Sequence, residues 1–200
     1  MKLIEALKFI NELEVSVFRT DDIAAYFNIK IPHASKILTR LSKSNHLLHL
    51  KKGLWAVPDK IDPLELPNYL LAPLPSYISF HSALYYRNVI DQIPSIIYVA
   101  TLYKTIKFIT PIATISAHQI HPDFFFGYTY DEKTKIKMAT AEKALIDTLY
   151  LSSAKSGIFR SLPEVDIDEL NLEKARKIIK KIPYKSRQTL VLKRFNALLK

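Results

Sequence analysis

Ser79, His81, Glu142 and Asp147 supply the side-chain types of a nucleophile, a base and an orienting acid, which is the set a hydrolase uses for covalent attack. Ser79-Phe80-His81-Ser82 holds the first two, but no strained G-x-S-x-G turn frames the serine. The acids lie far downstream, with nothing in the spacing to bring them back. His81 therefore reads as a helix-packing histidine bonded to a backbone carbonyl or to Glu142. His118, His121 and Asp123 are metal-ligating types without the H-E-x-x-H spacing, and the chain has no cysteine. Glu142, Lys143 and Asp147 offer the acid-plus-lysine content of a nuclease. Residues 143 and 147, however, stand one helical turn apart and pair with each other, and Asp131-Glu132-Lys133 adds carboxylates only in a turn. With three glycines and no cradle-type cluster, phosphate-loop chemistry has no basis. No catalysis, no metal and no cofactor are expected.

Binding chemistry is better supplied. From Pro32 a helix buries Ala34, Ile37, Leu38 and Leu41, leaving His33, Ser35, Lys36, Thr39, Arg40 and Lys43 on the other side. Such a polar, cationic surface is what a recognition helix lays into a major groove. Lys36 and Arg40 suit guanine edges, while His33, Ser35 and Thr39 suit bases or phosphate. Lys43, Lys51 and Lys52 suit the phosphate backbone, each contact steepening the salt dependence by a little under one unit.

The surrounding elements form a winged helix-turn-helix. Thr20 caps a short helix with Asp21 and Asp22 in its first turn and Ile23, Ala24 and Phe27 inward. Asn28-Ile29-Lys30-Ile31 turns the chain, and Pro32 opens the second helix. Leu47–Leu50 and Leu54–Val57 are two short strands joined by Lys51-Lys52-Gly53, with both lysines at the tip and Trp55 packing the hairpin onto the helices. Leu3, Leu7 and Ile10 mark an amphipathic first helix.

Charge divides the chain. The formal net charge is +10, distributed as a basic first sixty residues, a near-neutral middle and a strongly basic stretch from residue 155 onward. Both ends thus suit polyanions. The absence of cysteine excludes disulfides and thiolate sites, the first helix does not read as a secretory leader, and no apolar run is long enough for a bilayer. A cytoplasmic location without membrane association is expected.

The fold class expected is α+β, in three stretches. Residues 1–58 form the winged helix-turn-helix, residues 59–76 a Pro-rich connector, and residues 77–200 a mixed α/β domain ending in basic helices at about 160–200. Within the last stretch, Ser79–Tyr86 reads as a capped helix, and Ser95–Thr101 as a buried strand. Ile106–Phe108, Ile112–Ile115, Phe124–Tyr128 and Lys135–Ala139 read as further strands. Thr140 caps a helix carrying Ala144, Leu145, Leu149 and Tyr150, and Asp168–Lys181 and Ser186–Lys200 are the final helices.

The stretches Tyr77–Tyr86, Ile90–Pro94, Ile97–Thr101 and Ala139–Leu149 resemble the region behind the winged helix in AbiE-type antitoxins of type IV toxin–antitoxin pairs. The resemblance runs through about Leu151. Where that family starts a helix with proline, this chain has Ala141, and Thr140 still provides a cap. The resemblance implies a repressor that binds inverted repeats in its own promoter and counters a nucleotidyltransferase-like toxin without a stable complex. It would be a monomer in solution or a dimer on DNA. Two other classes remain open from the residues. One is a metal-dependent nuclease guided by the same module and dependent on Glu142 or Asp147. The other is an RNA-binding module using the aromatic rings between Tyr77 and Tyr130 as a stacking platform.

Overall fold

The computed structural model describes residues 3–12, 14–58, 60–154 and 157–200. The chain is mixed α and β and divides into two compact units, Met1–Leu70 with Ile109–Ala113, and Leu71–Phe108 with Thr114–Lys200. The division after Leu70 falls inside the Pro-rich stretch.

In the first unit the order is α1 (Leu3–Glu12), β1 (Val17–Arg19), α2 (Thr20–Tyr26), α3 (Ile31–Lys43), β2 (Leu48–Lys51) and β3 (Leu54–Ala56), then α4 (Leu66–Leu70). The three strands form one antiparallel sheet in the order β1-β3-β2. The core joins Ala6 and Ile10 of α1, Ile23 and Ala24 of α2, the four apolar residues of α3, and Trp55. At roughly 25 cal/mol per Å² of apolar surface, it is this shared burial that holds short helices together.

Thr20 does not cap α2. It is the helix's first residue, and its Oγ1 accepts a hydrogen bond from Trp55 Nε1 at 2.9 Å. The capping bond comes instead from Asp22, whose carboxylate accepts from Arg19 N at 2.7 Å. Asn28 takes a φ of +48° in the turn between α2 and α3, a conformation asparagine tolerates better than most residues. Strand β1, which the sequence reading did not contain, sits across β3 with Phe18 opposite Trp55.

The second unit holds a six-stranded sheet whose order includes β7-β5-β4-β9-β8: β4 (Ser76–Ile78), β5 (Ile97–Thr101), β7 (Thr114–Gln119), β8 (Tyr128–Tyr130) and β9 (Lys137–Ala139), with β6 (Ile106–Ile109) at its edge. Strands β5 and β7 are parallel, as are β4 and β9, and β4–β5 and β8–β9 are antiparallel. Helices α5 (Phe80–Tyr86), α6 (Ala141–Leu151), α7 (Leu172–Lys180) and α8 (Lys185–Leu198) complete it.

Helix α6 starts on Thr140, whose Oγ1 accepts from Lys143 N, and every residue from Glu142 to Tyr150 is buried. It is a central helix surrounded by α5, α7 and α8. Two strand expectations change. Phe124-Phe125-Phe126 is not a strand: Pro122–Phe124 forms a 3-10 turn, and β8 begins only at Tyr128, after Gly127 at φ +79°. The Ile112–Ile115 strand moves on to Thr114–Gln119. The expected helix from Asp168 starts at Leu172, because Asn171 Oδ1 accepts from Lys174 N and fixes the cap there.

Candidate nucleic-acid interface

Helix α3 presents three faces. At about 100° per residue, three stripes lie roughly 120° apart. Ala34, Ile37, Leu38 and Leu41 are buried against α1 and α2. Ser35, Thr39 and Ser42 form a hydroxyl stripe, and His33, Lys36 and Arg40 a cationic one. Lys43 falls between the last two. His33, Lys36, Thr39, Arg40 and Lys43 are exposed, and Ser35 and Ser42 half-buried. From Ile23 to Pro58 the sequence contains Lys30, Lys36, Arg40, Lys43, Lys51 and Lys52 and no Asp or Glu. No carboxylate falls between these cations in the sequence, so the local potential of the stretch is positive.

The hydroxyl stripe faces a groove of about 410 Å³ whose other wall is the β2–β3 hairpin. Ser35, Thr39, Ser42 and Lys43 line one side, and His49, Lys52, Gly53 and Trp55 the other. Four of the eight residues selected from sequence, Ser35, Thr39, Lys43 and Lys52, thus come together. His33, Lys36 and Arg40 stand on the adjacent stripe. Thr39 Oγ1 donates to Ser35 O at 2.8 Å. Trp55 is only 4% exposed, and the His49 ring lies tilted against it at 4.5 Å between centroids.

Lys51 departs from expectation. It closes strand β2 rather than sitting at the hairpin tip, which is Lys52-Gly53 alone. Its Nζ donates to the Leu70 carbonyl at 2.6 Å, and burial followed by the nearby Arg19 charge lowers its pKa. Opposite β3, Leu50 bulges out of register between His49 and Lys51, which turns Lys51 away from the face of Lys52. Ser42 and His49 are groove residues that sequence reasoning missed. Serine on a helix and histidine on a strand carry no signal until the hairpin folds back beside α3.

In the second unit the chemistry-bearing residues assemble differently from a catalytic site. Asp147 accepts from Tyr77 Oη at 3.0 Å and Ser79 Oγ at 2.7 Å, and is ion-paired with Lys143. Both charged side chains are 0% exposed. Burial pushes Asp147 up and Lys143 down, and each partner pulls the other back toward the charged form. Lys143 Nζ stands 3.4 Å from the Phe124 ring centroid and 5.0 Å from that of Phe126. Ser79 therefore spends its hydroxyl on Asp147 and leaves α5 without a side-chain cap.

His81 takes no part in this network. Its Nε2 has no hydrogen-bond partner and its ring packs on Tyr98 and Phe159, so the expected bond to a carbonyl or to Glu142 is absent from that nitrogen. Glu142 instead pairs with Lys174 at 2.8 Å. Burial alone would raise its pKa, but Lys174 and the helix start hold it below the usual value. His118 bonds Ser116 at 2.9 Å, and His121 lies 3.7 Å from Asp123. Among the described residues no three His, Asp or Glu side chains converge as a metal site. A second groove, of about 640 Å³, is walled by Asp91, Glu164, Asp166 and Asp168 and repels polyanions. Among the described residues no helix is long and apolar enough to cross a membrane.

No protein-family model and no curated protein matches the chain.

Proposed function

We propose that the first unit is a winged helix-turn-helix that binds duplex DNA through α3 and the β2–β3 hairpin, and that the protein is a repressor of its own promoter. The observation that carries this reading is the carboxylate-free stretch Ile23–Pro58, folded so that its cationic stripe is exposed beside a groove. In this reading Lys36 and Arg40 reach base edges, with His33 beside them. Lys43 and Lys52 hold phosphates, and two copies occupy the halves of an inverted repeat.

The resemblance to AbiE-type antitoxins supports a second role, opposing a nucleotidyltransferase-like toxin. Much of the stretch behind it, Tyr77–Phe80 and Glu142–Leu149, is buried. A partner of the second unit would thus meet other residues, among them the exposed lysines and arginines of α7 and α8. Catalysis is no part of the proposal: Ser79, Lys143 and Asp147 are bonded to one another inside the unit.

The test is a salt titration of the purified protein on its own upstream DNA beside a scrambled duplex. With Lys43 and Lys52 on two phosphates, log K for each bound copy should fall against log salt with a slope of about −1.8. Lys52→Ala should flatten the slope by about 0.9, whereas Lys51→Ala, whose ammonium is held by Leu70, should leave it unchanged. Equal, weak binding of both duplexes would refute the repressor reading.

A further inference from the structure

We infer that the groove between α3 and the β2–β3 hairpin seats one backbone phosphate of the bound strand, with Ser42 and His49 as contact residues. The inference rests on the reading of α3 as a DNA-binding helix and assigns what its neighbouring groove does.

Both walls offer donors that suit a backbone phosphate. Ser35 and Ser42 make no side-chain hydrogen bond to the described residues, so both hydroxyls are available to a phosphate oxygen. Lys43 and Lys52 flank the groove from opposite walls. No carboxylate lines it, so an anion entering meets attraction only. Trp55 gives its single N–H to Thr20. Its ring is 4% exposed and has His49 tilted on its face, so it offers the groove no hydrogen-bonding group of its own. His49, tilted on that face and exposed, can donate a ring N–H toward the same phosphate. Gly53 lines the groove with φ +73°, where a side chain would be strained.

A division of labour follows. Groove residues hold the backbone and carry no sequence information, whereas His33, Lys36 and Arg40, on the adjacent stripe, remain for base edges. Ser42 and His49 are then affinity residues, and Arg40 a specificity residue.

The chain's one tryptophan lies in this groove, so its emission reports occupancy. The full-length protein is titrated with labelled upstream duplex and with scrambled duplex, following anisotropy and Trp55 emission in parallel. Emission should change in step with anisotropy for both duplexes. Ser42→Ala and His49→Ala should each weaken both duplexes by the same factor, about threefold to tenfold, leaving their ratio intact, while Arg40→Ala collapses the ratio. Duplex binding without any change in Trp55 emission, with both groove variants at wild-type affinity, would overturn the inference and leave the DNA-binding reading standing. Groove variants that alter the ratio instead would assign the groove to bases and overturn it too. A protein that binds neither duplex would remove the reading beneath it.

Discussion

Replacing Lys143 with methionine isolates the energetics of the second unit's centre. Methionine keeps an unbranched apolar side chain and deletes the ammonium, which lies over the Phe124 and Phe126 rings. Asp147, 0% exposed, is then left with two neutral donors, Tyr77 Oη and Ser79 Oγ. Removing one partner of a buried pair costs about 3–5 kcal/mol, because the remaining charge has neither water nor a counter-ion. Asp147→Leu strands Lys143 in the same way, and also orphans two hydroxyls at roughly 1–3 kcal/mol each. In the double variant no charge remains to be stranded. The two single costs should therefore sum to at least about 3 kcal/mol more than the double variant's cost. With a urea dependence of about 2 kcal/mol/M, Lys143→Met should lower the unfolding midpoint by roughly 2 M. The assay is urea unfolding followed by far-ultraviolet circular dichroism, with Trp55 emission tracking the first unit separately. A Lys143→Met midpoint within about 0.3 M of wild type, or additive single costs, would refute the claim that this pair is held charged.

Three further outcomes are expected. Burial holds the His118 pKa at about 4, against about 6.5 in an unfolded chain, so between those values the unfolded state binds the extra proton. Its contribution, about 3 kcal/mol, is complete above about pH 6.5 and lost as pH falls toward 4. His118→Gln should flatten stability across that window, and an unchanged pH profile would disprove the assignment. Thr20→Val should orphan the buried Trp55 N–H at about 1–3 kcal/mol and shift the midpoint read by tryptophan emission, without altering the second unit's dichroism. Gly127→Ala would place a Cβ 3.0 Å from Lys143 Cγ at φ +79°. A thermal melt should show a loss of more than about 1 kcal/mol, and a melt equal to wild type would exclude a tight fit there.

The first unit was largely legible in the sequence because its signals are local. The period of Ala34, Ile37, Leu38 and Leu41 and the glycine after Lys52 define α3 and the hairpin without reference to anything distant. The polar and cationic residues on the outer side of α3 followed, since an amphipathic helix leaves outward what it does not bury. Lys51 was misplaced because one bulged residue, Leu50, reverses the facing of its neighbour, and a bulge leaves no mark in composition. The short strand Val17–Arg19 was missed for want of length. In the second unit the capping of α6 by Thr140 and the pairing of Lys143 with Asp147 were readable from spacing. The convergence of Tyr77 and Ser79 on Asp147 was not, because it depends on β4 lying beside a helix that is distant in the chain. The triple phenylalanine misled for a related reason: Phe124 and Phe126 lie over the buried Lys143 ammonium and Phe125 packs on Tyr77 and Tyr128, partners that are distant in the chain or invisible in composition.

The bond from Trp55 to Thr20 Oγ1 has a counterpart in the backbone, where Thr20 N donates to Gly53 O at 3.0 Å. One residue thus fastens both the hairpin's tip and its packed indole to the start of α2. The hairpin is a buttress rather than a tentacle. Its shape is set when the unit folds, so docking against a rigid partner requires little further ordering and loses less entropy than a floppy arm would. Amide protons at Thr20 and in β3 should accordingly exchange only when the whole unit opens, and should be no more protected in a complex than in the free protein.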